Sequence, residues 1–136
     1  MSVAARIFGL LLLIQSVAVP AVAQSPGESA LRAVITRQLD AMNQGDYTAA
    51  FAIASPAIQQ LFQDAPRFKA MIERGYPQVA HSRSHRFLGL NSDTGRLIQR
   101  VFIDSEAGTV VGSYEMLEID GQWRINGVIY EKSEGT

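Results

Sequence analysis

The hydrophobic periodicity of this chain changes once, at Tyr76-Pro77. Upstream, apolar residues recur every three or four positions, which is typical of amphipathic helices. The predicted helices span about 28–42, 47–54, 57–62 and 66–75. Downstream the period is two, and the predicted strands span about 84–91, 96–104, 109–119 and 122–131. Helices followed by consecutive strands predict an α+β fold, with N-terminal helices packed on a four-stranded antiparallel curved sheet.

Three side chains stand immediately before predicted helices and have the chemistry of N-caps. Asp46, Ser55 and Asp64 can each accept a backbone N–H of the first helical turn. Gly45 and Gly75 are the stop signals of the helices that precede Asp46 and follow Asp64. Capping explains the two aspartates better than a role as general bases.

The dipeptide Asp120-Gly121 predicts a two-residue hairpin, because its backbone twist suits the flanking strands. Regular alternation from this turn gives the pairs Ile119–Gln122, Glu118–Trp123, Met116–Ile125, Tyr114–Gly127 and Gly112–Ile129. The same register predicts one apolar face that packs on the helices, which we call the inner face. Its predicted members are Leu88, Leu90, Leu97, Gln99, Val101, Ile103, Val110, Tyr114, Met116, Trp123, Ile125 and Ile129.

The opposite, outer face of the predicted sheet mixes charged residues with large apolar ones. Its predicted members are His85, Phe87, Arg96, Ile98, Arg100, Phe102, Val111, Ser113, Glu115, Leu117, Arg124, Asn126, Val128 and Tyr130. Such a face suits a partner or a second copy of the chain better than bare water. We expect Arg100, Glu115, Arg124 and Tyr130 at this interaction face. The alternative is that its arginines simply pair across strands with Glu115 and Asp104.

The first 23 residues have the layout of a cleaved secretory signal. Arg6 precedes an apolar run that ends in Ala-Val-Ala, and cleavage is predicted between Ala23 and Gln24. A retained N-terminal anchor is the alternative, although the run is marginal for a bilayer span of about 20 residues. The sequence therefore predicts a periplasmic or secreted protein, with a single domain at 24–136 and no integral membrane segment after cleavage.

The composition narrows the possible partners and chemistry. The chain has 12 Lys+Arg against 13 Asp+Glu, a net charge of −1, which argues against nucleic acid or an anionic membrane as the main partner. It has no cysteine, so thiolate–zinc, iron–sulfur and thiol chemistry are excluded. No nucleophile-elbow or glycine-rich phosphate motif is present, and we predict no cofactor.

Three stretches of the sequence resemble a known family. They are QLDAMNQGDYTAAFAIASPAIQQLF at 38–62, FKAMIERGYPQV at 68–79 and GQWRINGV at 121–128. They look like bacterial domain-of-unknown-function family 4864, within the nuclear-transport-factor-2-like superfamily of cystatin-like rolls. The resemblance covers nearly all of 24–136 but implies no catalytic residue, since the family has no established activity. In the wider superfamily the cone between helices and sheet often holds a small apolar ligand, and several members are isomerases, dehydratases or lipid carriers.

The candidate ligand-binding residues are few. Gln99 and Tyr114 are predicted neighbours on the inner face, and are its best polar groups for a pocket; equally, they can bond each other or water. Asp40 lies beside Leu39 at the edge of the first helix's apolar stripe, where a carboxylate could face the cone. We assign no catalytic residue, because Glu118 is the only acid or imidazole predicted on the inner face.

No metal site is predicted. His81 and His85 have the i, i+4 spacing of a helical metal pair, but they lead into a strand. In extended backbone their imidazoles would lie roughly 13 Å apart, too far to share an ion. Arg96, Arg100 and Arg124, together with His85, could instead form an anion or partner site on the outer face.

These observations predict an exported binding or interaction module that could form a homodimer through the outer face of its sheet. The alternative is a carrier of, or an enzyme acting on, a small apolar molecule or lipid held in the cone. That alternative predicts a cavity that reaches Gln99 and Tyr114.

Overall fold

The computed structural model describes residues 26–93 and 95–131, and in these ranges five helices precede four strands. The helices are α1 Pro26–Asn43, α2 Tyr47–Ala52, α3 Pro56–Phe62, α4 Ala65–Gly75 and α5 Pro77–Ala80. The strands are β1 Ser82–Asp93, β2 Arg96–Ser105, β3 Gly108–Ile119 and β4 Gln122–Tyr130. They form one antiparallel sheet in the order β1-β2-β3-β4. The predicted α+β class, helices packed on a four-stranded antiparallel sheet, is confirmed.

The predicted signal segment at 1–23 and its cleavage position at Ala23–Gln24 lie outside the described residues. Within the described ranges, no helix combines the length and apolar character needed to cross a bilayer.

The predicted helix starts are confirmed by side-chain capping. Asp46, Ser55 and Asp64 each accept the backbone N–H of the residue three positions later, at 2.9–3.3 Å. The short helix α5 was not predicted, since four residues are too few for a hydrophobic period. Pro77 begins it, at the first helical position where proline costs no hydrogen bond.

The core lies between α1 and the inner face of the sheet. The predicted stripe of α1 is buried throughout: Leu31, Val34, Ile35, Leu39 and Met42 are each 5% exposed or less. The inner face contributes buried side chains from the three later strands to the same core, namely Val101, Ile103, Tyr114, Met116 and Ile125. The apolar stripe of α1 and the apolar face of the sheet thus form one buried layer.

The hairpin at Asp120-Gly121 is confirmed, and both residues have positive φ, 52° and 75°. The pairs Ile119–Gln122, Glu118–Trp123 and Met116–Ile125 form as predicted. Trp123 is half-buried and packs against the core from the inner face.

Beyond Ile125 the predicted register of β4 is wrong, because the strand carries a bulge at Asn126. Glu115 pairs with Gly127, so Tyr114 faces Val128 and Gly112 faces Tyr130. The extra residue reverses the alternation. Val128 and Tyr130, predicted on the outer face, pack against the core, whereas Ile129, predicted on the inner face, is 71% exposed.

The bulge lies where the helical half of the chain joins β4. Ser55 Oγ donates to Asn126 Oδ1 at 2.7 Å, and the Ser55 backbone N–H donates to the Ile125 carbonyl at 2.8 Å. Ala54 and Ile125 form a single parallel bridge beside them. The cap of α3 therefore also fixes the point at which β4 bends.

The predicted alternation of β1 is also wrong, because this strand carries a second bulge. Phe87 pairs with Val101 and Leu90 with Gln99, so Leu88 and Gly89 lie in the irregular segment. His85 and Phe87, predicted outward, consequently lie on the helix side. The His85 ring Nε2 is 3.1 Å from Thr36 Oγ1, and the Arg32 guanidinium lies 5.2 Å from the centre of the Phe87 ring.

Candidate functional site

Gln99 is buried on the inner face, opposite Tyr114, and all its contacts are internal. Its Nε2 donates to the carbonyls of Leu88 and Arg100, both at 2.9 Å. Its Oε1 accepts from Arg32 Nε at 3.1 Å. The side chain therefore holds the β1 bulge against α1, and it lines none of the pockets described below.

Tyr114 is fully buried, and its hydroxyl has no hydrogen-bond partner among the described residues. The ring lies over Gly112, where an added Cβ would come within 3.2 Å of it. Burial raises the pKa of this phenol well above its usual range. Tyr114 and Gln99 are confirmed as neighbours, and neither of them lines the apolar cavity described below.

Asp40 lies on the exposed side of α1. Its predicted orientation toward the cone is wrong, because Leu39 takes the buried position at that edge of the stripe.

The best-formed apolar cavity lies at the end of the fold where α3 and α4 meet β4, and we call it the α3–α4 pocket. It has a volume of about 180 Å³. Most of its walls come from α3, α4 and β4, and α1, α5 and the connecting residues before α3 and after α4 contribute single side chains. The lining residues are Gln38, Ala54, Ile58, Leu61, Phe62, Phe68, Met71, Ile72, Tyr76, Val79, Ile125, Gly127 and Val128. Leu61 is 69% exposed, so it marks the opening.

Local sequence signals explain how these walls come together. The Ser55 cap starts α3 at the point where the chain touches β4, and the bulge at Asn126 turns Val128 inward. On α4, Phe68 and Ile72 are one turn apart and both buried. The rings of Phe62 and Phe68 meet edge to face at 6.0 Å. The pocket is thus the space left between two short helices and the end of a bent strand.

The α3–α4 pocket is lined mainly by apolar side chains. Among the described residues that line it there is no carboxylate, imidazole or lysine. Gln38 is its buried polar group, and its Nε2 already donates to the Ala50 carbonyl at 3.1 Å. At the edge, the Tyr130 hydroxyl accepts the Val79 backbone N–H at 3.2 Å, and burial raises the pKa of Tyr130 to about 12.

The outer face of the sheet differs from its prediction in its ion pairs. Arg100 is bound by both carboxylate oxygens of Glu131, with Nη2 to Oε2 at 2.8 Å. This contact holds the pKa of the Glu131 carboxyl below its usual range. Arg124, expected near Glu115, instead donates to the Ala52 carbonyl at 2.6 Å. Among the described residues, Glu115 forms no ion pair.

Arg100, Glu115 and Arg124 are half-buried on the outer face, as expected of them, but Tyr130 is not part of it. The predicted place of Tyr130 in the interaction face is wrong, because the bulge turns its ring inward against Tyr76, at 5.0 Å between ring centres. Asp104 forms a cross-strand ion pair at 3.2 Å, but its partner is Arg83 rather than one of the outer-face arginines for which the pairing was predicted.

The residues that open the α3–α4 pocket were not among the predicted site residues. Leu61 and Phe62 are adjacent at the end of a seven-residue helix, so they cannot both face the core. That adjacency was the one sequence signal for an exposed apolar side chain here.

The described residues hold no group of three or more histidine, aspartate or glutamate side chains arranged for a metal ion. No curated protein matches the chain. The family described as a domain of unknown function, DUF4864, matches residues 24–136, which include every wall of the α3–α4 pocket. The chain belongs to this family, DUF4864.

Proposed function

We propose that this protein is an exported, periplasmic binding module that holds one small apolar group in the α3–α4 pocket. The observation that carries the proposal is the pocket itself: a preformed apolar space with an exposed leucine at its opening. Export is supported by the signal-like layout of residues 1–23. The order of helices and strands supports placing the domain among the cystatin-like rolls.

The size of the pocket limits what it can hold. An apolar cavity of about 150 Å³ holds benzene, and pockets for drug-sized ligands measure about 300–1,000 Å³. At about 180 Å³, this pocket suits one ring or one short chain of roughly six to eight carbon atoms. Among the alternatives raised by the sequence, a small apolar molecule therefore fits better than a whole lipid.

Direct titration tests the proposal. Benzene and 1-hexanol are added to the protein at millimolar concentrations, and ¹³C-labelled methyl groups of Ile72 and Val128 are followed by NMR. Both side chains line the pocket, so saturable shifts are expected at these methyls. We expect dissociation constants of about 0.1–1 mM, which correspond to roughly −4 to −5.5 kcal/mol.

Two neighbouring residues give matched variants. Val128→Phe adds volume inside the pocket, whereas Ile129→Phe adds it on the opposite, exposed side of β4. The first is expected to weaken 1-hexanol binding at least tenfold, and the second to leave it unchanged. Leu61→Glu, at an exposed position, should weaken binding without a risk to folding. Absence of saturable shifts in the wild type, or equal binding by all variants, would overturn the proposal.

A second candidate function is self-association through the outer face. This face carries the exposed Ile129 among half-buried apolar side chains, and it mixes Arg124 with Glu115, which a two-fold copy could pair. The four strands have nine to twelve residues and present roughly 700 Å². One partner in a stable interface buries about 800 Å², so the area of this face is slightly smaller than that.

Sedimentation velocity over a micromolar concentration series tests this candidate. The wild type is expected to sediment as a dimer, and Ile129→Glu as a monomer of unchanged stability, since the replaced side chain is exposed. Gln60→Glu, an exposed change on α3, is the control that should remain dimeric. A monomeric wild type would rule out the dimer and leave the pocket proposal intact.

A further inference from the structure

One face of α4 places two arginines beside the α3–α4 pocket. Residues 67, 70, 71 and 74 are three and four positions apart, so they share a face of the helix. Arg67 and Arg74 stand at its two ends, and Ala70 and Met71 lie between them. All four line a shallow groove on the surface.

The groove adjoins the pocket. Phe62, Met71 and Tyr76 line both of them. An elongated molecule can therefore place its apolar end in the pocket and its other end in the groove. The small side chain of Ala70 leaves room between the arginines, which are two helical turns, about 10 Å, apart.

The charge of the groove is positive and only weakly compensated. Arg74 forms no ion pair with any residue that the structure describes. Arg67 contacts Asp64 at 3.9 Å, and the two side chains are 67% and 51% exposed, so this pair is weak. The other nearby carboxylate, Glu73, lies 3.9 Å from Lys69. An anionic group in the groove would meet two guanidinium groups that are largely free to turn toward it.

We infer that the ligand of the pocket is a small organic acid: an apolar ring or short chain of about six carbons joined to a carboxylate. The inference rests on the proposed function and adds a second contact to it. The apolar end occupies the α3–α4 pocket, and the carboxylate is bound by Arg74 and Arg67. Guanidinium suits this role because its fork of N–H donors matches the two carboxylate oxygens.

Three probes of equal length separate the charge contribution from apolar binding: hexanoate, 1-hexanol and hexylammonium. Each is titrated into the wild type, and shifts of the Ile72 and Val128 methyls are measured at low salt and at 0.5 M salt. Hexanoate is expected to bind about three- to tenfold more tightly than 1-hexanol, and hexylammonium more weakly than either. The preference for hexanoate should shrink in high salt.

The double variant Arg67→Gln/Arg74→Gln is expected to abolish the preference for hexanoate and leave 1-hexanol binding unchanged. Both positions are exposed, so folding is not at risk. Arg37→Gln, an exposed arginine on α1 away from the groove, is the matched control and should retain the preference.

Each outcome decides a different statement. Equal binding of hexanoate and 1-hexanol by the wild type overturns the organic-acid inference but leaves the apolar pocket. Binding of none of the probes overturns the proposed function. N-acetylphenylalanine imitates a peptide C-terminus, and binding of this compound in the groove without hexanoate binding would overturn the assignment to a free small acid.

Discussion

Tyr130→Ala is expected to destabilise the protein by about 2–4 kcal/mol, whereas Ile129→Ala is expected to change the free energy of unfolding by less than about 0.5 kcal/mol. The difference follows from the bulge at Asn126, which turns Tyr130 toward the helices and leaves Ile129 71% exposed. The Tyr130 ring packs on Tyr76 and its hydroxyl accepts the Val79 N–H, so truncation loses an aromatic pair and a hydrogen bond.

Urea unfolding followed by tryptophan fluorescence measures both free energies. The two residues are adjacent in β4, so the main difference between the variants is the face of the strand on which a side chain is truncated. A regular β4 would reverse the ranking, with Ile129 as the costly position and Tyr130 as the mild one. That reversed ranking would contradict the bulge. Asn126→Ala removes the hydrogen bond to Ser55 but keeps the extra residue of the bulge in β4. This variant is expected to lower the free energy of unfolding by about 1–2 kcal/mol.

Two substitutions at the buried pair Gln99 and Tyr114 are expected to act in opposite directions. Gln99→Leu keeps the volume but removes the donor to Leu88 and Arg100 and the acceptor for Arg32, so we expect a loss of about 2–4 kcal/mol. Tyr114→Phe removes a buried hydroxyl that has no partner among the described residues. Since an unpaired buried hydroxyl costs free energy, this change is expected to stabilise by about 1 kcal/mol.

Thermal and urea unfolding of the two single variants measure both changes in the free energy of unfolding. The same pair was predicted to contact a ligand, so probe binding is measured on both variants as well. We expect folded Tyr114→Phe to bind 1-hexanol as the wild type does, because neither residue lines the α3–α4 pocket. A destabilised Tyr114→Phe with weakened probe binding would show that the hydroxyl has a function that the packing does not explain.

The features predicted correctly are those set by neighbours in the sequence. Ser55 caps a helix three residues later, the stripe of α1 repeats every turn, and Asp120-Gly121 fixes the pairs beside it. Each of these depends on contacts within a few positions. Fold class follows from them, because the order of the elements leaves few ways to bury both apolar faces.

The features that could not be predicted depend on distant contacts. The bulge at Asn126 is held by Ser55, 71 positions away, and Gln99 is held by Arg32, 67 positions away. Alternation carries no sign of either contact, so Val128 and Tyr130 were placed on the wrong face. The α3–α4 pocket depends on the angle between two short helices, which neither the caps nor the periodicity define.

The contact of Ala54 and Ser55 with Ile125 joins the helical part of the chain to β4, so the walls of the α3–α4 pocket come together only when β4 has formed. Consecutive strands are joined by short turns, so the sheet can grow hairpin by hairpin as the chain lengthens. The α3–α4 pocket is completed later, because α3 and α4 precede the sheet in the sequence whereas Ile125 and Val128 belong to β4. A ligand can therefore recognise the pocket only when β4 is in place. By mass action it stabilises that state alone, by RT ln(1 + [L]/Kd), so occupancy of the pocket would report that folding is complete.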